Sequence, residues 1–166
     1  KESRIAAEGV VDIMVDGKNA AMIEVNAETD FVAKNASFQE FVKNLLKTII
    51  ANKPADVDAL MASTYIDGAT TVDAKLKEMI FVIGEKISIR RFVVVEGLTS
   101  TYIHGNGSIG VIAKFDVDAA TAAKAEFDEV AKNIALQIGA YTTPYLDRES
   151  VPASVIEEEK AIVLAQ

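Results

Sequence analysis

Residues 20–49 read AAMIEVNAETDFVAKNASFQEFVKNLLKTI, a strand-like run, a short polar junction and a helical pattern, and that order decides the fold class. Upstream, residues 5–15 form another strand-like segment, joined to residues 20–26 by Asp16-Gly17-Lys18-Asn19, whose turn chemistry predicts a β-hairpin. Downstream, Ser37 and Glu40 have capping-box spacing, and Phe38, Phe41, Val42, Leu45, Leu46 and Ile49 recur on one helical face. A helix packed on a hairpin is therefore expected. Phe31 stands outside that stripe, beside Asp30 at the strand-to-helix junction, where a core residue is not usually placed. Asp30 or Thr29 could cap a short turn there and hold the ring in one orientation. The alternative is that Phe31 plugs the local core.

Composition narrows the function classes. The 166 residues are 50% hydrophobic and 25% charged, enough for one globular domain or two small ones with a real core. Seventeen basic against 25 acidic residues give a net charge of -8, with Lys and Arg scattered, which argues against nucleic acid or anionic membrane as the main partner. The absence of Cys excludes disulfides and thiolate zinc sites, and no apolar run is long enough to cross a bilayer. A cytoplasm-like compartment fits this composition. The sequence opens without Met and stops inside a helical pattern, so a segment of a longer protein is expected.

The second part of the chain repeats the pattern of the first. Residues 89–102 and 108–115 read as strands around His104-Gly105-Asn106-Gly107, and Phe127, Val130, Ile134 and Ile138 follow with helical spacing and Gly139 as a stop. Glu8-Gly9 and Gly17 match Glu96-Gly97 and Gly105 at a spacing of 88. Phe38, Glu40, Lys43, Asn44, Ile49 and Ala51 match Phe127, Glu129, Lys132, Asn133, Ile138 and Ala140 at 89. The reading is an α+β fold of two related subdomains from an internal duplication, each an antiparallel hairpin with packed helices. Chance matching of short segments is the alternative. The expected divisions are a first half at 1–52, connecting helices within 53–88, a second half at 89–141 and the start of a truncated helical segment at 142–166. Two helices, at 54–63 and 72–83, form the connection, the second closed by Gly84. Ser154 and Glu157 form a further capping box in the last segment. Aligned on the hairpins, Asp30 and Phe31 face Asp118 and Ala119, so only the first copy carries an aromatic at this point.

Other chemical signals are weak. Gly105-Asn106-Gly107 precedes a strand rather than a helix and lacks a Gly-Lys-Ser/Thr sequence, so a hairpin turn fits better than a phosphate loop. His104 is the sole histidine and has no metal-binding companion, leaving a turn or contact role. Arg90-Arg91 are read as pairing with surface acids, and Glu157-Glu158-Glu159 as a solvated helix face.

The run Val25-Asn26-Ala27-Glu28-Thr29-Asp30-Phe31-Val32-Ala33-Lys34-Asn35, with Phe38 after it, closely resembles the signature of the elongation factor Ts family. Supporting matches are Ala6-Ala7-Glu8-Gly9-Val10, Gly84-Glu85-Lys86-Ile87-Ser88-Ile89-Arg90-Arg91-Phe92, and Tyr102-Ile103-His104-Gly105 followed by Ile109-Gly110-Val111. The resemblance spans essentially the whole chain and corresponds to the family's two-part core. Ala27 stands where many members have Cys, and Gln137 where some have His, which puts a contact at Gln137 in doubt. The resemblance implies a guanine-nucleotide exchange factor that binds the GTPase elongation factor Tu and ejects its GDP, with no chemistry, cofactor or metal of its own. It implies partner contacts at Thr29, Asp30, Phe31 and Val32, with Phe31 wedged near the magnesium and phosphate sites, and further contacts at His104, Ile109, Gly110 and Gln137. The implied location is the bacterial cytoplasm, or an organellar matrix or stroma. A duplicated dimerisation or scaffolding module is the second reading, since exposed sheet edges can self-associate and the family includes dimers. A carboxylate-dependent hydrolase built on Asp30 comes third, having no paired acid or nucleophile.

Overall fold

The computed structural model describes residues 4–105 and 107–141, so the helical segment expected at 142–166 lies outside the described residues. Strands β1 (Glu8–Asp16) and β2 (Asn19–Ala27) form the first hairpin, with Asp16 paired to Asn19 and Gly17 at φ 59° in the two-residue turn. A 3₁₀ turn (Asp30–Lys34) leads into α1 (Ala36–Asn52), followed by α2 (Val57–Ala62) and α3 (Val72–Ile83). Strand β3 (Ser88–Glu96) completes an antiparallel sheet in the order β1-β2-β3. Strands β4 (Leu98–His104) and β5 (Ile109–Phe115) form a second, two-stranded sheet, and α4 (Ala119–Ala122) and α5 (Ala125–Tyr141) follow. The order strand, strand, short helical turn, 17-residue helix thus occurs twice.

The single strand expected at 89–102 is two strands in different sheets. Its break is Gly97, at φ 120°, a conformation open to glycine and to few other residues. Gly97 N–H donates to Lys18 O at 2.8 Å, so the chain is turned out of the first sheet just where β3 ends. Within β3, Glu24 pairs with Arg91 and Val25 with Ile89, which leaves Arg90 as the extra residue of a bulge. Arg91 Nε sits 3.0 Å from the Glu24 carboxylate, the surface pairing expected for it.

The expected stripe on α1 is the heart of the molecule. Phe38, Phe41, Val42, Leu45, Leu46 and Ile49 are all buried, against Ile23 and Val25 of β2 and against Leu60, Val72, Leu76 and Met79 of the connecting helices. The helix starts earlier than Ser37, because Asn35 is extended and its Oδ1 accepts from Phe38 N–H at 3.1 Å. Ser37 is therefore already inside the first turn. Asn35→Ala is expected to lower stability by about 1 kcal/mol, the usual worth of an N-cap, read as a lower denaturant midpoint at unchanged slope.

The second half has a thin core. The face of α5 expected to be buried through Val130, Ile134 and Ile138 is exposed, and Ala131, Ala135 and Gly139 are turned inward instead. Tyr102 and Val111 explain this: a Cβ at Gly139 would lie 2.7 Å from Tyr102 Cδ1 and 3.4 Å from Val111 Cγ2. Bulk supplied by β4 and β5 leaves room for small residues only, so Gly139 is a point of close approach rather than a stop. Phe127 keeps its inward role, meeting Phe115 edge to face at 5.4 Å.

The two sheets are latched together. Val11 N–H, on the free edge of β1, donates to Gly107 O at 2.7 Å, and Gly107 adopts φ 94°. A Cβ there would come within 2.7 Å of Val11 O. Gly107→Ala is expected to open this latch, and hydrogen exchange at the Val11 amide should quicken about tenfold or more, given a left-handed penalty of about 1–2 kcal/mol per residue.

Candidate functional site

The segment between β2 and α1 places two neighbouring apolar side chains in opposite surroundings. Val32 enters the core at 4% exposure while Phe31, its neighbour, is 76% exposed, because a single 3₁₀ turn cannot bury both. The turn is fastened from below: Asn35 N–H donates to Val32 O at 2.9 Å, and Gln39 Nε2 donates to Ala33 O at 2.9 Å. The local-plug reading of Phe31 is thereby overturned. Neither Thr29 nor Asp30 caps the turn as expected. Thr29 occupies the N-cap position with no capping bond from its side chain, and its hydroxyl instead donates to Glu85 Oε1 at 2.7 Å. Its backbone N–H donates to Glu85 Oε2 at 3.0 Å. In the second half, by contrast, Asp118 does cap: its carboxylate accepts from Thr121 N–H at 2.6 Å, and bonds from Thr121 hold it below the ordinary carboxylate range.

Glu28 completes the attachment, its Oε1 accepting from Lys86 N–H at 2.6 Å and its Oε2 lying 3.3 Å from Arg4 Nη1. Sequence reading missed Glu85 as a structural partner because 56 residues separate it from Thr29. Gly84 delivers it: this residue ends α3 at φ 82° and turns the chain back toward the first hairpin.

The second hairpin lies alongside. Thr29, Asp30 and Lys34 border a cleft of about 560 Å³ together with Glu8, Gly9, Gly105 and Ser108. Ser108 also borders a second groove of about 500 Å³, lined by Val11, Met22, Phe92, Val93, Ile109 and Gly110. Ile109 is 39% exposed, whereas Gly110 is a packing point at which a Cβ would fall 2.5 Å from Val11 Cγ1 and 2.7 Å from Met22 Sδ. His104 is exposed at the end of β4, its Nδ1 sharing a 2.9 Å hydrogen bond with the Tyr102 hydroxyl. Gln137 is exposed on α5 and borders neither cleft. The structure thus brings Thr29 and Asp30 beside the turn preceding Ile109 and buries Val32, while Gln137 is not among the residues lining either cleft. Among the described residues no group of His, Asp and Glu could hold a metal ion, and no helix is long and apolar enough to cross a membrane.

The sequence model described as elongation factor TS matches residues 28–166, beginning one residue before Thr29. The chain belongs to the elongation factor Ts family. Curated members similar to it include elongation factor Ts of Syntrophotalea carbinolica, 42% identical over 98% of this chain and 54% of the relative. The Lacticaseibacillus casei protein is 43% identical over the same shares, and that of Clostridium kluyveri 40% identical over the whole chain and 55% of its own length. The chain spans about half the length of these elongation factor Ts relatives.

Proposed function

We propose that this chain promotes GDP release from the translational GTPase elongation factor Tu, with Phe31 as a wedge entering beside the partner's magnesium and phosphate sites. The observation that carries this reading is an aromatic ring left 76% exposed on a turn whose next residue is locked in the core. A ring so placed has little role in folding, and it projects from a turn that is itself fixed. Asp30 flanks it, Ile109 and His104 extend the contact surface along the second hairpin, and Gln137 would meet a different part of the partner. Val32 and Gly110 act from within, the first as anchor and the second as a close-packing point.

Displacement rather than chemistry is what such a surface can do. Magnesium requires near-octahedral oxygen geometry and phosphates rely on oriented loop N–H groups, so a small shift of either weakens the nucleotide. Exchange is then negative coupling: the factor weakens GDP, and GDP weakens the factor by the same ratio. A shift of about 10⁴-fold needs roughly 5.5 kcal/mol of differential binding, while burying one Phe supplies about 1.5–3 kcal/mol. The remainder must come from the surface that holds Phe31 in place, which is why the second half belongs to the mechanism.

Release of a fluorescent GDP from purified elongation factor Tu, with and without this chain, tests the reading; acceleration is the expected result. A dimerisation module is the second reading, favoured by the exposed apolar row Val130, Ile134 and Ile138 on α5. Unchanged GDP release together with a concentration-dependent dimer in sedimentation would replace the first reading with the second.

A further inference from the structure

Thr29 gives up a local bond that its position invites. It sits at the N-cap of the 3₁₀ turn with extended backbone, φ -128° and ψ 157°, yet its hydroxyl reaches away to Glu85 and leaves the turn without a side-chain cap. The same carboxylate takes the Thr29 backbone N–H on its other oxygen, so both donors of one residue end on one acid. Two bonds to a single residue fix its direction as well as its position. Next to it the tie is reciprocated, with Glu28 accepting from Lys86 N–H. Phe31 is outside the core cluster, so the point from which its side chain projects is set by the backbone on either side, Val32 in the core and Thr29 on Glu85.

We infer that Glu85 is a positioning residue for the Phe31 contact, acting through Thr29; the inference rests on the exchange role proposed above. Both Glu85 bonds are solvent-exposed, so their loss loosens the aim of the motif without emptying the core. Glu85 does not touch the partner in this scheme. Its removal should therefore lower the maximal stimulated rate more than it raises the half-saturating concentration.

The test compares Glu85→Ala, Glu85→Gln, Thr29→Val, the Glu85→Ala/Thr29→Val double variant and Phe31→Ala in stimulated release of fluorescent GDP from elongation factor Tu. Melting temperatures are taken alongside. Glu85→Ala is expected to cut the maximal rate about tenfold, the scale set by hydrogen bonds to a charged group. Glu85→Gln should recover most of that loss, because its amide oxygen can accept the N–H while its amide nitrogen donates to the hydroxyl. The double variant should be no slower than Glu85→Ala alone. A wild-type maximal rate for Glu85→Ala beside a slowed Phe31→Ala overturns the inference and leaves the wedge standing. So do single losses that multiply in the double variant, or a rate loss that simply follows a lowered melting temperature. A wild-type rate for Phe31→Ala overturns the wedge reading and the inference with it.

Discussion

Phe31→Ala is expected to slow the stimulated release of GDP from elongation factor Tu by about 10- to 100-fold, the range obtained by converting the burial of one Phe side chain into a rate ratio. The fold should be untouched, since the ring is 76% exposed and its neighbours are held without it, Val32 by the core and Thr29 by Glu85. The melting temperature should accordingly stay within a degree or two of wild type, as for other exposed side chains with no structural partner. Binding should survive in weakened form through Ile109, His104 and the rest of the second hairpin. Stopped-flow release and a pull-down on the same samples separate these effects. A Phe31→Ala protein that stimulates release as fast as wild type would mean that the ring is a bystander.

The largest effect on stability is expected from Phe38→Ala. This side chain is fully buried at the start of α1, in the cluster that also contains Val32. Truncating a core Phe costs about 3–5 kcal/mol, from the lost transfer energy and the cavity left behind. For a domain of this size that corresponds to a fall in melting temperature of roughly 6–20 °C. Calorimetry or a denaturant titration reads it directly, and a loss below about 1 kcal/mol would show that the neighbouring side chains collapse into the space. Activity should fall only where folding does, so at a temperature at which the variant is folded it should still accelerate GDP release. Phe31→Ala and Phe38→Ala are thus opposite cases, one losing rate at constant stability and the other stability at nearly constant rate.

What could be read in advance follows the physics of each element. The α1 stripe was legible because Phe38 to Ile49 recur with a helical period and bury a broad face together. Phe31 could be picked out because it breaks that period at a junction. The boundary at Gly97 was hidden inside Val93-Val94-Val95-Glu96-Gly97-Leu98-Thr99, where strand-forming residues continue on both sides and the change of sheet rests on one glycine conformation. On α5 the large side chains pointed the wrong way. Hydrophobic size marks a buried face only when the opposing surface leaves space, and Tyr102 and Val111 take that space first. Asn35 outcompeted Ser37 as a cap because its extended backbone aims Oδ1 at Phe38 N–H. The Glu85 tie had no sequence signal at all, since a long-range hydrogen bond leaves no periodicity.

The latch between Val11 and Gly107 bears on the entropy of association. Two contact regions on separately moving sheets would have to be immobilised when a partner arrives, and that ordering would be subtracted from the binding free energy. The bond from Val11 N–H to Gly107 O, the close packing of Gly110 on Val11 and Met22, and the β3–β4 junction at Gly97 toward the other end of the sheet hold the two hairpins together once the chain folds. Freedom lost at folding is not lost again at binding. In the exchange role proposed above, such a chain would meet its partner as a gauge of set width, with the yielding left to the nucleotide site.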